Sequence, residues 1–336
     1  MKQILFAIAV TALALAPAAR PATSEPAAQI GRPVRVVSLS FAHVPFDQVR
    51  VAVDNAAEGA DLVVLPELFR GDGHPETLDG PTVTAMADLA RKHHAYIVCP
   101  IDRKDGPRRW NTAVLIDRNG QVVFHYDKIY PYWNEFELSP PPSLGSHAGV
   151  YQTDFGRLGI AICFDVNFPA VWQQLADEGA ELVVWPSAYS AGTSLQAHAI
   201  NHHYYIVSST LMRDCQVYDI TGELLLSQES KSINVCRITL DLDRGIYHQN
   251  FNLKKRDKLL KEHGDDLMQE KWLPREQWFV LKARRPGVSA RAIAHEYGLE
   301  ELRHYIDRSR LSLDRMRGEN YAAGVAQENS TAADSR

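Results

Sequence analysis

The chain has 336 residues, of which 45% are hydrophobic, so it is long enough to bury a sizeable core in one large domain or two modest ones. Its formal net charge is −5, which argues against binding to nucleic acid or to an anionic membrane surface, since both need a basic face. Four cysteines in a chain of this length exclude a small, disulfide-stapled scaffold.

The first residues have the layout of a secretory signal peptide. Lys2 precedes an apolar stretch from Ile4 to Ala16, and small residues follow it at 16–19. The pattern predicts a signal peptide over 1–19, with an uncleaved amphipathic anchor as the alternative. We therefore expect an exported protein, periplasmic or extracellular, without stable membrane insertion. Disulfides can form there, but the sequence does not determine any cysteine pairing.

Strands and helices are predicted to alternate along the first part of the chain. The apolar run at 33–41 predicts a strand, and the amphipathic segment 46–60 predicts a helix. Next come a strand over 61–67, a helix over 81–93 and a strand over 95–101. Residues 110–128 alternate in polarity on both sides of an Asn-Gly pair, which predicts a β-hairpin.

The alternation continues to about residue 243. A hairpin ends in "GRLGIAIC", and a helix over 169–178 leads to a strand over 181–187. A helix around 192–203 precedes the strand in "YYIVSST", and two more strands follow. The pattern indicates an α/β layered fold with a mixed sheet whose strands are covered on both faces. From residue 246 the chain changes to charged helical segments, and the polar stretch 319–336 predicts disorder.

Three of the predicted strands end in a residue suited to chemistry, namely Glu67, Lys128 and Cys163. Sites in such sheets assemble beyond the carboxyl ends of the strands. There a carboxylate could act as base on a thiol, whose ordinary pKa is about 8.5, while an ammonium and the N–H of Phe164 stabilise an oxyanion. Spacing alone leaves three alternatives open: an acid at a helix N-terminus, a solvated edge lysine and a core thiol.

Family resemblance makes the catalytic interpretation specific. The segments "LVVLPELF" (62–69), "YDKIYPYWNEFE" (126–137) and "GRLGIAICFDVNFP" (156–169) resemble the glutamate, lysine and cysteine motifs of the nitrilase superfamily of carbon–nitrogen hydrolases, in the same order. The resemblance implies a four-layer α-β-β-α sandwich over 33–245, and the charged segments that follow predict a helical extension over 246–318. It also implies a homodimer or higher homo-oligomer and no cofactor or metal.

The resemblance also implies a role for each site residue. Glu67 is the expected general base, Cys163 the nucleophile that forms a thioester, and Lys128 the oxyanion stabiliser. Glu135 occupies the place of a second, orienting glutamate, with an exposed loop acid as the alternative. The segment 181–192 resembles the family's pocket-lining segment, so Trp185 and Tyr189 are candidate substrate-binding residues, although buried aromatic residues are often simply core.

Two segments depart from the family pattern, and both lie where pocket shape is set. The chain has "LSPPPSLGS" (138–146) where a Pro-Gly turn is usual, and Asn201-His202 where relatives commonly carry Glu-Asn. His198 and His202 have zinc-like spacing, but the acidic residue expected between them is missing. The segment 288–306 resembles a helix-turn-helix, for which we expect a role in packing or dimerisation.

The expected reaction is hydrolysis of a non-peptide C–N bond in a small amide or carbamoyl compound through an acyl-enzyme. Three alternatives use the same fold: nitrile hydrolysis, acyl transfer to an amine, and a binding protein that has lost catalysis.

Overall fold

The computed structural model describes residues 29–71 and 73–333, with side chains described as far as residue 318. The predicted signal peptide lies outside the described residues. No helix in the described part of the chain combines the length and the apolar character needed to cross a bilayer.

Two six-stranded mixed sheets form the centre of the molecule. The first sheet has the order β12-β1-β2-β3-β4-β5 and the second the order β11-β10-β9-β8-β7-β6. The strands of the first sheet are β1 (Pro33–Ser40), β2 (Leu62–Val64), β3 (Tyr96–Asp105), β4 (Arg108–Ile116), β5 (Val122–Asp127) and β12 (Asn234–Asp241). Those of the second are β6 (Val150–Gln152), β7 (Arg157–Ile160), β8 (Leu182–Ser187), β9 (Tyr205–Thr210), β10 (Asp214–Tyr218) and β11 (Leu224–Glu229).

Alternation of apolar side chains along β1 explains the layering. Val34 and Val36 join a core shared with the second sheet, whereas Val37 and Leu39 point to the other face and pack with helices α1 (Phe46–Ala56) and α2 (Pro81–His93). The outer face of the second sheet is covered by α3 (Pro169–Asp177) and α4 (Gly192–His202). The four layers are therefore α-β-β-α, as the resemblance implies.

The two sheets approach closely where β1 crosses β9. The Ser38 hydroxyl donates to the backbone oxygen of Ser208 at 2.7 Å, and the Ser209 hydroxyl donates to that of Leu39 at 2.6 Å. These buried bonds fix the relative position of the two sheets, and with it the position of the loops that leave their carboxyl ends.

Hydrophobic periodicity predicts most elements of this domain well. The helix predicted over 81–93 is α2, which has Pro81 at its first position and three basic residues in its last turn. The predicted hairpin at 110–128 is β4 and β5. The first helix ends earlier than predicted, at Ala56, and the strand predicted over 61–67 ends at Val64.

The C-terminal extension contains strands as well as the predicted helices. Helices α5 (Leu253–His263), α6 (Ala290–Glu296) and α7 (Leu302–Ala333) accompany a three-stranded sheet that the sequence analysis did not predict. Its strands are β13 (Gly245–His248), β14 (Leu267–Leu273) and β15 (Trp278–Ala283). Helix α7 covers most of the stretch at 319–336, as far as Ala333, and the disorder predicted for that stretch stays a prediction.

The extension packs on the hydrolase-like domain through paired charges. Arg291 of α6 donates to Glu181, which immediately precedes β8, at 2.7 Å and forms two hydrogen bonds with Glu301. Arg303 of α7 donates to the backbone oxygen of Ala180 at 2.6 Å. The part of the chain that resembles a helix-turn-helix thus has a packing role; its role in dimerisation stays a prediction.

Candidate active site

The fold brings the three predicted catalytic residues into one cavity. Glu67 lies three residues after the end of β2, Lys128 directly follows β5, and Cys163 lies three residues after the end of β7. All three line the same cavity of about 750 Å³. Because β2 and β5 belong to the first sheet and β7 to the second, the cavity lies where loops from the two sheets meet.

Both carboxylate oxygens of Glu67 accept hydrogen bonds from neighbouring donors. Oε1 accepts from Nζ of Lys128 at 2.8 Å and from Nδ2 of Asn111 at 2.7 Å, and Oε2 accepts from the backbone N–H of Ala188 at 2.8 Å. The side chain of Glu67 also contacts the thiol of Cys163 through a hydrogen bond. Glu67 is therefore placed to take a proton from sulfur.

Lys128 is enclosed between two acids. Its side chain is 1% exposed, and Nζ donates to both Glu67 and Glu135. Burial would lower the pKa of this ammonium, but the negative charges of Glu67 and Glu135 outweigh burial and raise it. The lysine is therefore a fixed positive charge, and two of its three N–H donors are used by the glutamates.

Glu135 is part of the site, in the place that the family resemblance assigns to it. It lies on a 3₁₀ helix, Trp133–Glu137, and its Oε1 also accepts from the backbone N–H of Tyr132 at 2.7 Å. This bond ties the loop after Lys128 to the ammonium, so Glu135 orients Lys128 and does not extend into solvent as an ordinary loop acid.

The sequence analysis did not identify Asn111. This residue of β4 is buried, and its Nδ2 bridges the two glutamates, at 2.7 Å from Glu67 and 3.0 Å from Glu135. Its backbone oxygen accepts from the N–H of Lys128 at 2.9 Å, so one residue positions all three side chains. In the sequence Asn111 stands at the start of the run "NTAVLI", beside the polar Thr112, so no local signal indicates it.

Cys163 has a backbone conformation that projects its sulfur into the cavity. Its φ is +46°, in the left-handed region that residues other than glycine seldom adopt, and it begins a 3₁₀ helix, Cys163–Asn167. This is the sharp turn at the end of "GIAIC". The turn also brings Phe164, the predicted oxyanion donor, to the cavity wall, where its ring packs edge-on against Tyr132 at 5.5 Å.

Asp165 holds this turn in place from behind. Its carboxylate accepts from the Tyr126 hydroxyl at 2.7 Å and from the backbone N–H groups of Ile162 at 2.9 Å and Tyr130 at 3.0 Å. Burial raises the pKa of Asp165 to about 6, against an ordinary value of 3.8. The bonds connect the cysteine turn with the segment that follows Lys128.

The thiol of Cys163 is protonated in the resting site. Burial raises its pKa, the charge of Glu67 raises it further, and Lys128 only partly opposes them. The arrangement therefore does not store a thiolate. It requires the proton to move to Glu67 as the sulfur attacks.

The structure separates the two aromatic residues predicted to bind substrate. Tyr189 lines the cavity, and its hydroxyl accepts from Nδ2 of Asn167 at 3.4 Å. Trp185 is completely buried and is not among the described lining residues; its Nε1 donates to the backbone oxygen of Cys163 at 3.0 Å, and its ring packs edge-on against Tyr189 at 5.6 Å. Trp185 thus supports the cysteine turn and the wall from behind.

The departure at 138–146 packs against the lysine. Gly145 donates to the backbone oxygen of Lys128 at 2.9 Å, and a Cβ on this glycine would lie 1.9 Å from the oxygen of Asp127. Only a glycine fits there, so this segment closes on Lys128 in spite of its unusual sequence.

The histidines of α4 are packed as neutral rings. His198 is stacked on Trp172 with ring centres 4.2 Å apart, and its Nε2 donates to the backbone oxygen of Val166 at 2.8 Å. Burial lowers the pKa of His198, and that of His202 to about 4. Within residues 29–71 and 73–318, whose side chains are described, no group of three or more metal-binding side chains comes together.

Comparison with known proteins agrees with the fold and the site. The sequence matches the carbon–nitrogen hydrolase family over residues 31–246. A nitrilase of Pyrococcus abyssi is 29% identical over 190 residues, which are 52% of this chain and 71% of that protein. A deaminated glutathione amidase of Synechocystis is 33% identical over 178 residues, 45% of this chain and 65% of that protein. The chain thus spans about two thirds of the length of these curated relatives.

A solved structure supports the same fold. The amidase of Nesterenkonia AN1 superposes with a TM-score of 0.56 at 20% identity, covering 70% of this chain and 99% of that one. The four-layer fold predicted from the sequence motifs is therefore confirmed. The chain belongs to the carbon–nitrogen hydrolase family, within the nitrilase superfamily. Glu67, Lys128 and Cys163 lie together where the loops of its two mixed sheets meet.

Proposed function

We propose that the protein hydrolyses the C–N bond of a small amide or carbamoyl compound through a thioester on Cys163. The observation that carries this proposal is the hydrogen-bonded set Glu67–Lys128–Glu135 beside a thiol on a strained turn, all at one cavity. Each group has one task, and the family to which the chain belongs supports the assignment.

Acylation begins when the sulfur attacks the carbonyl carbon of the amide. The thiol proton passes to Glu67 as the S–C bond forms, because the raised pKa of Cys163 keeps the free thiol protonated. The negative charge that develops on the carbonyl oxygen is stabilised by the third N–H of Lys128 and by the backbone N–H of Phe164. Glu67 then gives the proton to the departing nitrogen, the C–N bond breaks, and ammonia or an amine leaves.

Deacylation uses the same groups, with water in place of the thiol as the nucleophile and sulfur in place of nitrogen as the leaving atom. Glu67 takes a proton from a water molecule, whose oxygen attacks the thioester carbon. The C–S bond then breaks, the sulfur recovers the proton from Glu67, and the carboxylic acid product departs. Water replaces the leaving group on the same side of the site, so one base serves both half-reactions.

Replacement of the nucleophile tests this proposal. Cys163→Ala should reduce ammonia release from a panel of amides, carbamoyl amino acids and nitriles by roughly 10³-fold or more, because the covalent route is lost. Its melting temperature should stay close to that of the wild type. Cys99→Ala, which removes a buried thiol outside the site, is the matched control and should keep activity.

The same experiment separates the alternatives. Mass spectrometry of the quenched wild-type reaction should show one acyl group on Cys163. Ammonia release from nitriles alone would favour a nitrilase. Ammonia release that depends on an added amine, with an N-acyl amine and no carboxylic acid as the product, would favour a transferase. Full activity in Cys163→Ala would refute the mechanism, and no turnover or acyl adduct on any compound would favour a silent binding protein.

Export and oligomerisation complete the proposal. We infer from the composition of residues 1–19 that the protein is secreted after removal of this leader, and from the family resemblance that it forms at least a homodimer. N-terminal sequencing of the protein recovered from the periplasm or medium tests the first inference. Light scattering of the purified protein tests the second, and a monomeric mass would contradict it.

A further inference from the structure

The cavity in front of Cys163 has an apolar, aromatic wall. Beyond the catalytic groups, its described lining residues are mainly Leu68, Tyr132, Phe164, Tyr189 and Leu211. The rings are held by neighbours: Phe164 packs against Tyr132, with ring centres 5.5 Å apart, and Tyr189 packs against the buried Trp185. A volume of about 750 Å³ lies within the range of ordinary small-molecule pockets.

The charges in this cavity are unbalanced toward the negative side. Among the described lining residues, two acidic side chains, Glu67 and Glu135, face one basic side chain, Lys128. Lys128 donates to both acids, and its remaining donor faces the reacting carbonyl in the proposed mechanism. An additional carboxylate on a substrate would therefore enter a negative site in which the described cation is already engaged.

The polar groups of the wall satisfy one another. Asn167 donates through Nδ2 to the backbone oxygen of Phe164 at 3.2 Å and to the Tyr189 hydroxyl at 3.4 Å. Burial also raises the pKa of the Tyr189 phenol. These groups can hold a neutral ligand but offer no positive charge.

One cation lies in the next hollow along the surface. A cavity of about 310 Å³ shares Leu68, Gly71 and Leu211 with the catalytic cavity and contains Arg70. The guanidinium of Arg70 lies over the ring of Phe46, 4.4 Å from the centroid, and donates to the Thr82 hydroxyl at 2.7 Å. Arg70 is thus used in packing this neighbouring loop, and it is the group to examine if an anionic substrate binds.

We propose that the substrate is a neutral amide whose acyl group is apolar, either aliphatic or aromatic, and that amides with a terminal carboxylate are discriminated against. This inference deepens the proposed function and rests on it. The acyl chain lies along the wall of Leu68, Phe164, Tyr189 and Leu211, while the amide meets Cys163 and Lys128. Each additional buried methylene should raise kcat/KM about fourfold until the wall is covered.

Matched pairs of amides test this proposal on the full-length protein. Butyramide is compared with succinamate, hexanamide with adipamate, and phenylacetamide is added as an aromatic amide. We expect ammonia release with kcat/KM rising from butyramide to hexanamide, and at least about tenfold lower for each carboxylate partner. Equal or higher kcat/KM for succinamate or adipamate would overturn the inference and leave amide hydrolysis itself intact.

Three variants make the test more specific. Asn167→Lys adds a positive charge to the wall and should raise kcat/KM for adipamate at least tenfold relative to hexanamide, whereas Asn167→Gln should keep the wild-type preference. Arg70→Gln should leave the ratio of kcat/KM between each neutral amide and its carboxylate partner unchanged. If adipamate is a good substrate of the wild type and Arg70→Gln abolishes its hydrolysis, Arg70 is the counter-ion of its carboxylate and the inference is wrong. If the wild type acts on none of the five amides, the inference fails; if no compound of the full panel is hydrolysed or leaves an acyl group on Cys163, the proposed function fails as well.

Discussion

The catalytic carboxylate and the catalytic thiol influence each other through charge as well as through the proton that they share. Glu67 accepts from three donors, and its negative charge is the second cause, after burial, of the raised pKa of Cys163. The same side chain thus keeps the thiol protonated at rest and removes its proton during attack. These two effects have opposite consequences for two different measurements.

Glu67→Gln should separate these effects. Loss of the negative charge lowers the pKa of Cys163, so alkylation by iodoacetamide should become faster near neutral pH. Loss of the base should reduce amide hydrolysis by roughly 10³-fold. The two rates are measured between about pH 6 and pH 10.

Glu137→Gln, a change of an exposed acid on the 3₁₀ helix that carries Glu135, is the control and should alter neither rate. Parallel losses of alkylation and hydrolysis in Glu67→Gln would mean that Glu67 only maintains the structure of the site.

Some site residues could be predicted because they stand at the ends of strands that are recognisable in the sequence. Glu67, Lys128 and Cys163 follow apolar runs that periodicity identifies as strands, and strand ends meet at one edge. Asn111 was missed because its role depends on a bond to Glu67, 44 residues away, and on the register of β4 with β5. Nothing local distinguishes its amide from any other polar residue in a strand.

At the scale of elements, the turn that carries Cys163 depends on one buried acid. Asp165 receives bonds from the segment before the turn and from the segment after Lys128, and its folded-state pKa is about 6. A φ of +46° at Cys163 costs of order 1–3 kcal/mol, which these bonds offset. The geometry of the nucleophile is therefore maintained from outside its own loop.

Stability should change with pH in a direction set by Asp165. Because its pKa is raised from 3.8 to about 6, the folded chain binds this proton more tightly than the unfolded chain does. The contribution is fully present below about pH 3.8 and is lost as the pH rises through about 6. Relative to Asp165→Asn, the wild type should gain about 2 kcal/mol of unfolding free energy from pH 7 to pH 4.

Urea unfolding of both proteins at several pH values measures this difference. Asp105→Asn, which changes an exposed acid at the end of β3, is the control for the general effect of losing a carboxyl group. If the unfolding free energy of the wild type relative to Asp165→Asn decreased on acidification, the fold would stabilise mainly the ionised form of Asp165.

At the scale of the whole molecule, the extension is joined to the hydrolase domain through Arg291. Its guanidinium contacts Glu181 of the domain and Glu301 of the extension, and all three side chains are at most 24% exposed. The sequence indicated helices here because their charge pattern is regular. It did not indicate the β13–β15 sheet, whose strands mix polar and apolar residues and are recognisable only when paired.

Arg291→Met should lower the unfolding free energy by about 2 kcal/mol, because Glu301 loses this ion pair and Glu181 keeps its ion pair with Arg32 but loses the one with Arg291. Thermal unfolding measures the change. Arg317→Met removes an exposed ion pair with Asp314 on α7 and should cost less than about 0.5 kcal/mol. Equal effects of the two substitutions would mean that the junction is held by apolar contacts alone.

The enclosure of Cys163 also bears on how long each molecule remains usable. Peroxides and related oxidants consume thiolates much faster than thiols, and the sulfinic form that they finally produce is seldom repaired. A sulfur that is 5% exposed and carries its hydrogen while idle gives such reagents little opportunity. Inactivation of the enzyme should therefore increase with the number of turnovers it completes. Enzyme kept without substrate should retain its concentration of active sites during long exposure to air.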